Sequence, residues 1–510
     1  MNDPIEALRD SYHETTLPEE RLEVILTSLT VDAPSSDSEL SSGMNGSSLW
    51  IQLGFIGLIG VGLLIVVLML VWRADKGHST PPFIIPEPER WEEPEDIEMN
   101  ILLPISNGVV ETDLPHDPSE RREPDSTPMG SPVDALGGIP AWQNRADEPT
   151  DKPTLSITAD NMEEHALRLT EGHQAMFKQY PETWHMVVYP THRTATLPEH
   201  IYLNCHRNLK HASLTDSGNG ITGALPGVAF PHPANGNEAI WNHLFRYRGK
   251  SLRRKIGQAV PMRTGKYTLV ELEERALWLY GQDHLLSKHI QLVQAPSRLA
   301  GEKRLLFESS NQSQRPLECW RYNKDLHKIV RSPNDAHDFL RTASDGQATV
   351  DNTDMFSGSP ERYTWTLSGP MELYVPYNAH QIDRARPGDL LRSGHINQNF
   401  ARYELHRVWR VDGELKNGAS HIYSRRTCYL DEDSWQILHV DHYDRFGQLW
   451  RVGEAHTKNY GDFIGETLQC LYDLKNGRYF ACGLQLGEKA QVDIAINESI
   501  FSPEALVDLH

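Results

Sequence analysis

Apolar and polar positions divide the chain into regions of different period. Residues 49–72 form one apolar run broken only by Gln52, with no charged side chain and with Trp50 and Trp72 at its ends. At about 1.5 Å per residue such a run can cross a hydrocarbon core of roughly 30 Å, so it predicts one transmembrane helix with an indole at each interface. A cleavable signal peptide fits poorly, because no basic segment precedes the run and its apolar stretch is too long. Further along, Tyr403, Leu405, Trp409 and Val411 alternate with Arg402, Glu404, His406 and Arg410. This period of two predicts a strand with one buried face, with Arg407 as the exception. Three more strands follow in hairpin order over 422–430, 435–443 and 448–456, separated by polar turns at 431–434 and 444–447. Short connections make such neighbours antiparallel.

Helical signals are fewer. Thr158 can cap a helix over 159–180, and Asn235-Gly-Asn-Glu238 is an Asn/Glu capping box for a second helix. In the second helix Ala239, Ile240, His243, Leu244 and Tyr247 share a face, and Gly249 can supply a left-handed stop. Helix and strand do not alternate as a parallel doubly wound sheet requires. The expected fold is mainly β with helices, a large curved antiparallel sheet with a few helices against it, preceded by the transmembrane helix. The expected division is an acidic tail (1–48), the transmembrane helix (49–72), a Pro/Glu-rich tether (73–150) and a folded domain (151–510). Within the tail, residues 18–28 form an incomplete amphipathic face suited to folding against a partner.

Composition narrows the function. A formal charge of −21 over 510 residues argues against general affinity for nucleic acid or anionic headgroups. The five cysteines have no zinc-type spacing, and their odd number argues against a disulfide framework. A two-residue turn at Asn476-Gly477 would set Cys470 against Gly483 and Cys482 against Leu471, with the thiols on opposite faces. Gly218-Asn-Gly-Ile-Thr-Gly223 matches a dinucleotide fingerprint only in letters, since its approach is polar and Pro226-Gly227 prevents a helix from opening behind it. It reads as a turn. The acidic positions Asp351, Asp354, Glu361 and 431–433 lack EF-hand spacing and read as turn chemistry. Among 24 histidines no metal motif appears, although His439 and Asp441 lie two apart on a strand. No nucleophile, base and oxyanion arrangement is legible, so neither enzyme activity, a cofactor nor a metal is expected.

The aromatics Trp241, Phe245, Trp365, Tyr374, Tyr377, Trp409, Trp435 and Trp450 lie on elements expected to enclose one volume. Core packing and an apolar cavity would use the same residues. For a cavity, the expected lining is Trp241, Phe245, Tyr403, Leu405, Trp409 and Val411.

Ordered blocks carry a resemblance over residues 136–510. They include Gly138-Ile-Pro-Ala-Trp142, Tyr189-Pro-Thr-His-Arg193, Phe230-Pro-His-Pro233 and Trp241-Asn-His-Leu-Phe-Arg-Tyr-Arg-Gly249. Thr342-Ala-Ser-Asp-Gly346, Tyr374-Val-Pro-Tyr-Asn378, Gly394-His-Ile-Asn397, Ala401-Arg-Tyr-Glu-Leu-His-Arg-Val-Trp409, Tyr429-Leu-Asp-Glu-Asp-Ser-Trp435 and Trp450-Arg-Val-Gly-Glu-Ala-His456 continue the series. With these the chain resembles a proteobacterial family of periplasmic proteins of unknown function, described as LolA/LolB-like or outer-membrane lipoprotein-sorting-like. The resemblance implies a half-open β-barrel plugged by helices, an interior for lipid or another hydrophobic molecule, and partnership with resistance-nodulation-division exporters. It offers no catalytic residues.

Relatives of this type resemble secreted proteins, whereas here an anchor and tether stand in that place. Arg73 and Lys76 after the helix favour a cytoplasmic C-terminal side, while the resemblance implies a periplasmic domain. The expectation adopted is a single-pass inner-membrane protein with its N-terminus in the cytoplasm and its domain in the periplasm, binding a lipid or hydrophobic ligand for envelope transport or an exporter. The alternative is an envelope sensor whose ligand-binding domain regulates a cytoplasmic partner of the tail.

Overall fold

Two antiparallel meanders joined edge to edge make up most of the structure, a computed structural model that describes residues 148–332 and 337–509. The expected tail and membrane helix and nearly all of the expected tether lie outside the described residues. Among those described, no helix is long and apolar enough to cross a membrane.

The strands are β1 (Leu155–Ile157), β2 (Met186–Tyr189), β3 (Ser213–Leu214), β4 (Ile221–Thr222), β5 (Ser251–Ala259), β6 (Val270–Trp278), β7 (Leu285–Ala295), β8 (Lys303–Ser309) and β9 (Glu318–Asn323). They continue with β10 (Lys328–Arg331), β11 (Tyr363–Pro376), β12 (Tyr403–Leu415), β13 (Arg425–Asp431), β14 (Ile437–Tyr443), β15 (Leu449–Asn459), β16 (Ile464–Asp473), β17 (Arg478–Gln485) and β18 (Gln491–Val492). One meander runs from β5 to β10 and the other from β12 to β17, and they meet where β17 pairs with β5, Ala481 opposite Ala259. β11 flanks β12 at one edge and β10 ends the other, so the sheet is open and no closed barrel forms among the described residues. Every pairing is antiparallel except the short contact of β2 with the start of β12. The expected antiparallel order of the last strands is observed, with β13, β14 and β15 as successive neighbours.

Among the described residues, three helices of nine or more residues accompany the sheet: α1 (Glu171–Gln179), α2 (Glu199–His211) and α3 (Gly236–Phe245). The helix expected over 159–180 is broken. A 3-10 turn occupies Met162–Arg168, and Thr170, extended at ψ 165°, starts α1 afresh by accepting a hydrogen bond from His173 N. Thr170 rather than Thr158 is therefore the cap. The Asn235 cap is as expected, its side chain accepting from Glu238 N. α3 is buried on nearly every side, from Ala239 through Phe245, as a helix held between layers must be. It stops at Phe245 rather than at Gly249, because Arg246 turns extended at ψ 148°.

β12 differs from its expected amphipathic form. Tyr403 and Val411 are buried, but so are Glu404 and His406 on the opposite face. Both faces of this strand are covered, and the polar one is satisfied internally: Glu404 accepts from Arg402 Nε at 2.7 Å and from Asn378 Nδ2 at 2.9 Å. The β16–β17 register also differs from expectation, with Cys470 opposite Ala481 and Gln469 opposite Cys482. The Asp473 carboxylate accepts from Lys475 N and Asn476 N, and Gly477, at φ +65°, donates its N–H to Asp473 O. These bonds close a four-residue loop where sequence suggests two. The thiols still point to opposite faces, and all five cysteines are buried, none of them in a disulfide. The Gly218–Gly223 segment forms the turn between β3 and β4 and enters β4, as expected.

The aromatics do not enclose one volume. Trp241, Phe245, Trp365 and Trp435 belong to a cluster around α3, with Trp409 packed against it. Tyr374 and Tyr403 belong to another around α1, and Tyr377 to a third. Each large apolar side chain buried there contributes roughly 1.5–3 kcal/mol.

Candidate functional site

The β5–β8 meander presents one face as a ladder of rows, because cross-strand partners share a face. One row runs Arg254, Glu274, Gln291, Arg304, and the next, two residues along each strand, runs Leu252, Ala276, His289, Leu306. A third holds Trp278, Ser287 and Glu308. Over this face close the end of α3 and the segment after it (Leu244, Arg246, Arg248), the 353–357 loop and the ends of β15 and β16. Between them lies a cavity of about 130 Å³ with Leu252, Ala276, Trp278, Leu306, Phe356 and Phe463 among its apolar lining. An engineered apolar cavity of roughly 150 Å³ accepts benzene, so this space suits a ring or a section of an alkyl chain.

Four arginines and four carboxylates also line it. Arg254 Nε bonds Glu274 at 2.7 Å, and Gln291 Nε2 donates to the same carboxylate at 2.8 Å. Arg246 and Arg248 share one carboxylate, Asp354, each at 2.6 Å. Burial would raise the Asp354 carboxyl, but these two guanidinium groups outweigh it and hold it well below the usual range. Glu308 accepts from Ser287 Oγ at 2.6 Å and lies 3.2 Å from His289 Nε2. Glu466 behaves oppositely. Its residue is only partly exposed, its Oε2 is sealed from solvent without a hydrogen-bond partner, and burial, reinforced by Asp354, pushes its carboxyl up to about 7. The Nε1 of Trp278 and the Nε of Arg248 are likewise buried without partners. The space thus combines an apolar wall with donors able to meet a polar end group.

The six residues expected from sequence divide between two clusters. Trp241, Phe245 and Val411, with Trp409 against them, share the cluster that also contains the lining residues Ala276, Trp278, Phe356 and Phe463. Trp409 stacks on Trp435 with ring centroids 6.1 Å apart. Tyr403 and Leu405 pack instead in the α1 cluster. None of the six is among the lining residues of this cavity. The residues that sequence reasoning missed carry a signal in retrospect. Charged and apolar residues fall in phase two apart, as Leu252 with Arg254, Glu274 with Ala276, and Arg304 with Leu306 and Glu308.

Residues 156–507 match the family described as "Protein of unknown function (DUF1329)". The chain is 40% identical over 411 residues to the uncharacterized protein PA3922 of Pseudomonas aeruginosa, covering 74% of this chain and 90% of that protein. Among solved structures, it is similar to a DUF1329 family protein from Desulfovibrio piger, with 13% identity and a TM-score of 0.37 over 51% of this chain and 92% of that one. It is also similar to a LolA superfamily protein from Nitrosomonas europaea, with 10% identity and a TM-score of 0.34 over 53% of this chain and 98% of that one. With the family match spanning most of the folded residues, the chain belongs to the DUF1329 family.

Proposed function

We propose that this protein is a non-enzymatic binding module for a hydrophobic ligand that carries an anionic end. The observation that supports the reading is the cavity itself, where an apolar row on β5–β8 lies beside a row of charges and under Arg246 and Arg248. The ligand's alkyl or ring portion replaces water against Leu252, Ala276 and Leu306, worth roughly 0.8 kcal/mol per buried CH₂. Its head group meets the two guanidinium groups that share Asp354. In this reading residues 49–72 anchor the chain in the inner membrane with the domain on the periplasmic side, and the tether lets it pass ligand to a resistance-nodulation-division exporter or another carrier.

Calorimetric titration of the full chain with decanoate and with decanol tests the reading. Both should bind, decanoate more tightly. Ala276→Trp, which fills the apolar row, should abolish both while thermal unfolding stays cooperative. Undiminished binding by that variant would overturn the assignment.

A further inference from the structure

A second group of chemistry-bearing side chains lies away from the cavity, where α1 covers β14 and β15. His439 and Glu454 are direct cross-strand partners on these strands, and Asp441 and His456 sit two residues along from each. α1 brings His173 over them. One ring nitrogen from each of His173 and His439 and one carboxylate oxygen of Glu454 lie within 4.8 Å of one another. His173 Nε2 is 3.1 Å from Glu454 Oε1, and the His173 and His439 rings are 4.2 Å apart. Around them, Tyr403 OH donates to Glu454 Oε1 at 3.0 Å, and His439 Nε2 lies 2.9 Å from Thr170 Oγ1 and 2.8 Å from Asp441 Oδ1.

Hydrogen bonding within the cluster leaves much of it unused. His173, His439, Asp441, Glu454 and His456 are all fully buried. Yet Nδ1 of both His173 and His439, Asp441 Oδ2 and Glu454 Oε2 have no partner. His456 has none at either nitrogen, with its Nε2 3.7 Å from Glu454 Oε2. So many orphaned acceptors and imidazole nitrogens in one dry place are costly unless something satisfies them together. A cation relieves those that ligate it, because neutral imidazole and carboxylate both offer lone pairs to it.

We infer that His173, His439 and Glu454 form a structural site for a divalent metal of the zinc class, with His456 Nε2, 3.7 Å from Glu454 Oε2, as a further imidazole beside it. Two imidazoles and one carboxylate suit zinc rather than calcium or magnesium, which prefer all-oxygen shells. Asp441 and Thr170 act on the ring of His439, as outer-shell partners orient a metal-binding histidine. Because the ligands come from a helix and two strands, the ion ties α1 to the sheet.

Metal analysis of the full chain, purified without a metal-affinity step and dialysed against buffered zinc, tests this. Stoichiometric zinc is expected, and a strong chelator should lower the unfolding temperature, with zinc restoring it. Glu454→Gln and His439→Gln should lose zinc by at least tenfold, and their melting should no longer respond to chelator. Cobalt(II) substituted into the wild-type chain should give the visible absorption of a tetrahedral site, providing a readout even where a variant fails to fold. No bound metal in the wild type, or zinc content and chelator response retained by both variants, would overturn the inference.

Discussion

Arg426 and Asp351 form an ion pair almost wholly sealed from water, their side chains 0% and 4% exposed. Asp351 also faces His421 Nε2 at 3.0 Å, and the guanidinium group lies 4.8 Å from the Tyr363 ring centroid and 5.2 Å from that of Tyr423. Removing one partner strands the other charge in a low-dielectric site. Asp351→Ala should therefore destabilise the domain by about 3–5 kcal/mol, whereas Asp351→Leu combined with Arg426→Met should cost much less. Urea denaturation of both variants checks this, and equal losses would contradict it.

Acid should weaken the fold. Burial raises the Asp351 carboxyl, but Arg426 and then His421 outweigh it and hold it well below the carboxylate range. At Glu308 burial is likewise outweighed, first by the hydrogen bond from His289, leaving its carboxyl at about 2. A carboxyl lowered from an unfolded value near 4 stabilises the fold above that value and loses its contribution as pH falls toward the folded one. The urea midpoint should thus fall between about pH 4 and pH 2. Glu308→Gln should make that fall shallower; an unchanged slope would rule out Glu308 as a contributor.

How far these sites were legible depends on the range of the interactions that build them. The strands and turns around β13–β15 follow from local alternation, and the Asn235 cap from two residues three positions apart. The β5–β8 cavity requires register across four strands, which the sequence does not state. Register also hid the histidine cluster. A bulge between His442 and Tyr443 shifts the β14–β15 pairing, so a turn-based count does not place His439 opposite Glu454. The break at Thr170 that brings His173 over the sheet lies inside an otherwise helical pattern. Trp241 and Phe245 are recognisable as buried, but only the fold decides whether a buried ring faces a void or a neighbour.

Gly172 tests how closely α1 approaches the sheet. By helix propensity alone, Gly172→Ala should stabilise by roughly 1 kcal/mol. Here a Cβ would collide with Asp441 Oδ1 and lie 2.8 Å from Val452 Cγ1 and 2.9 Å from His439 Nε2. These atoms are buried and held, so the substitution should instead destabilise by about 1–3 kcal/mol. Thermal unfolding distinguishes the two signs.

Glu466 makes ligand binding depend on pH. Burial is the main cause that raises its carboxyl to about 7, Asp354 adds to it, and Arg254, Arg341 and Arg246 oppose both. Since the folded value exceeds the unfolded one of about 4.3, its contribution to stability is present below that value and lost as pH rises through about 7. Below neutrality the cavity therefore carries one negative charge fewer beside its four arginines. Decanoate, ionised throughout this range, should bind several-fold and up to about tenfold more weakly at pH 8 than at pH 6, while decanol should be indifferent. Glu466→Gln should hold the tighter affinity at both values, since the amide keeps the shape and removes the charge. A decanoate titration that weakens as steeply in Glu466→Gln as in the wild type would exclude this carboxyl as the origin of the dependence.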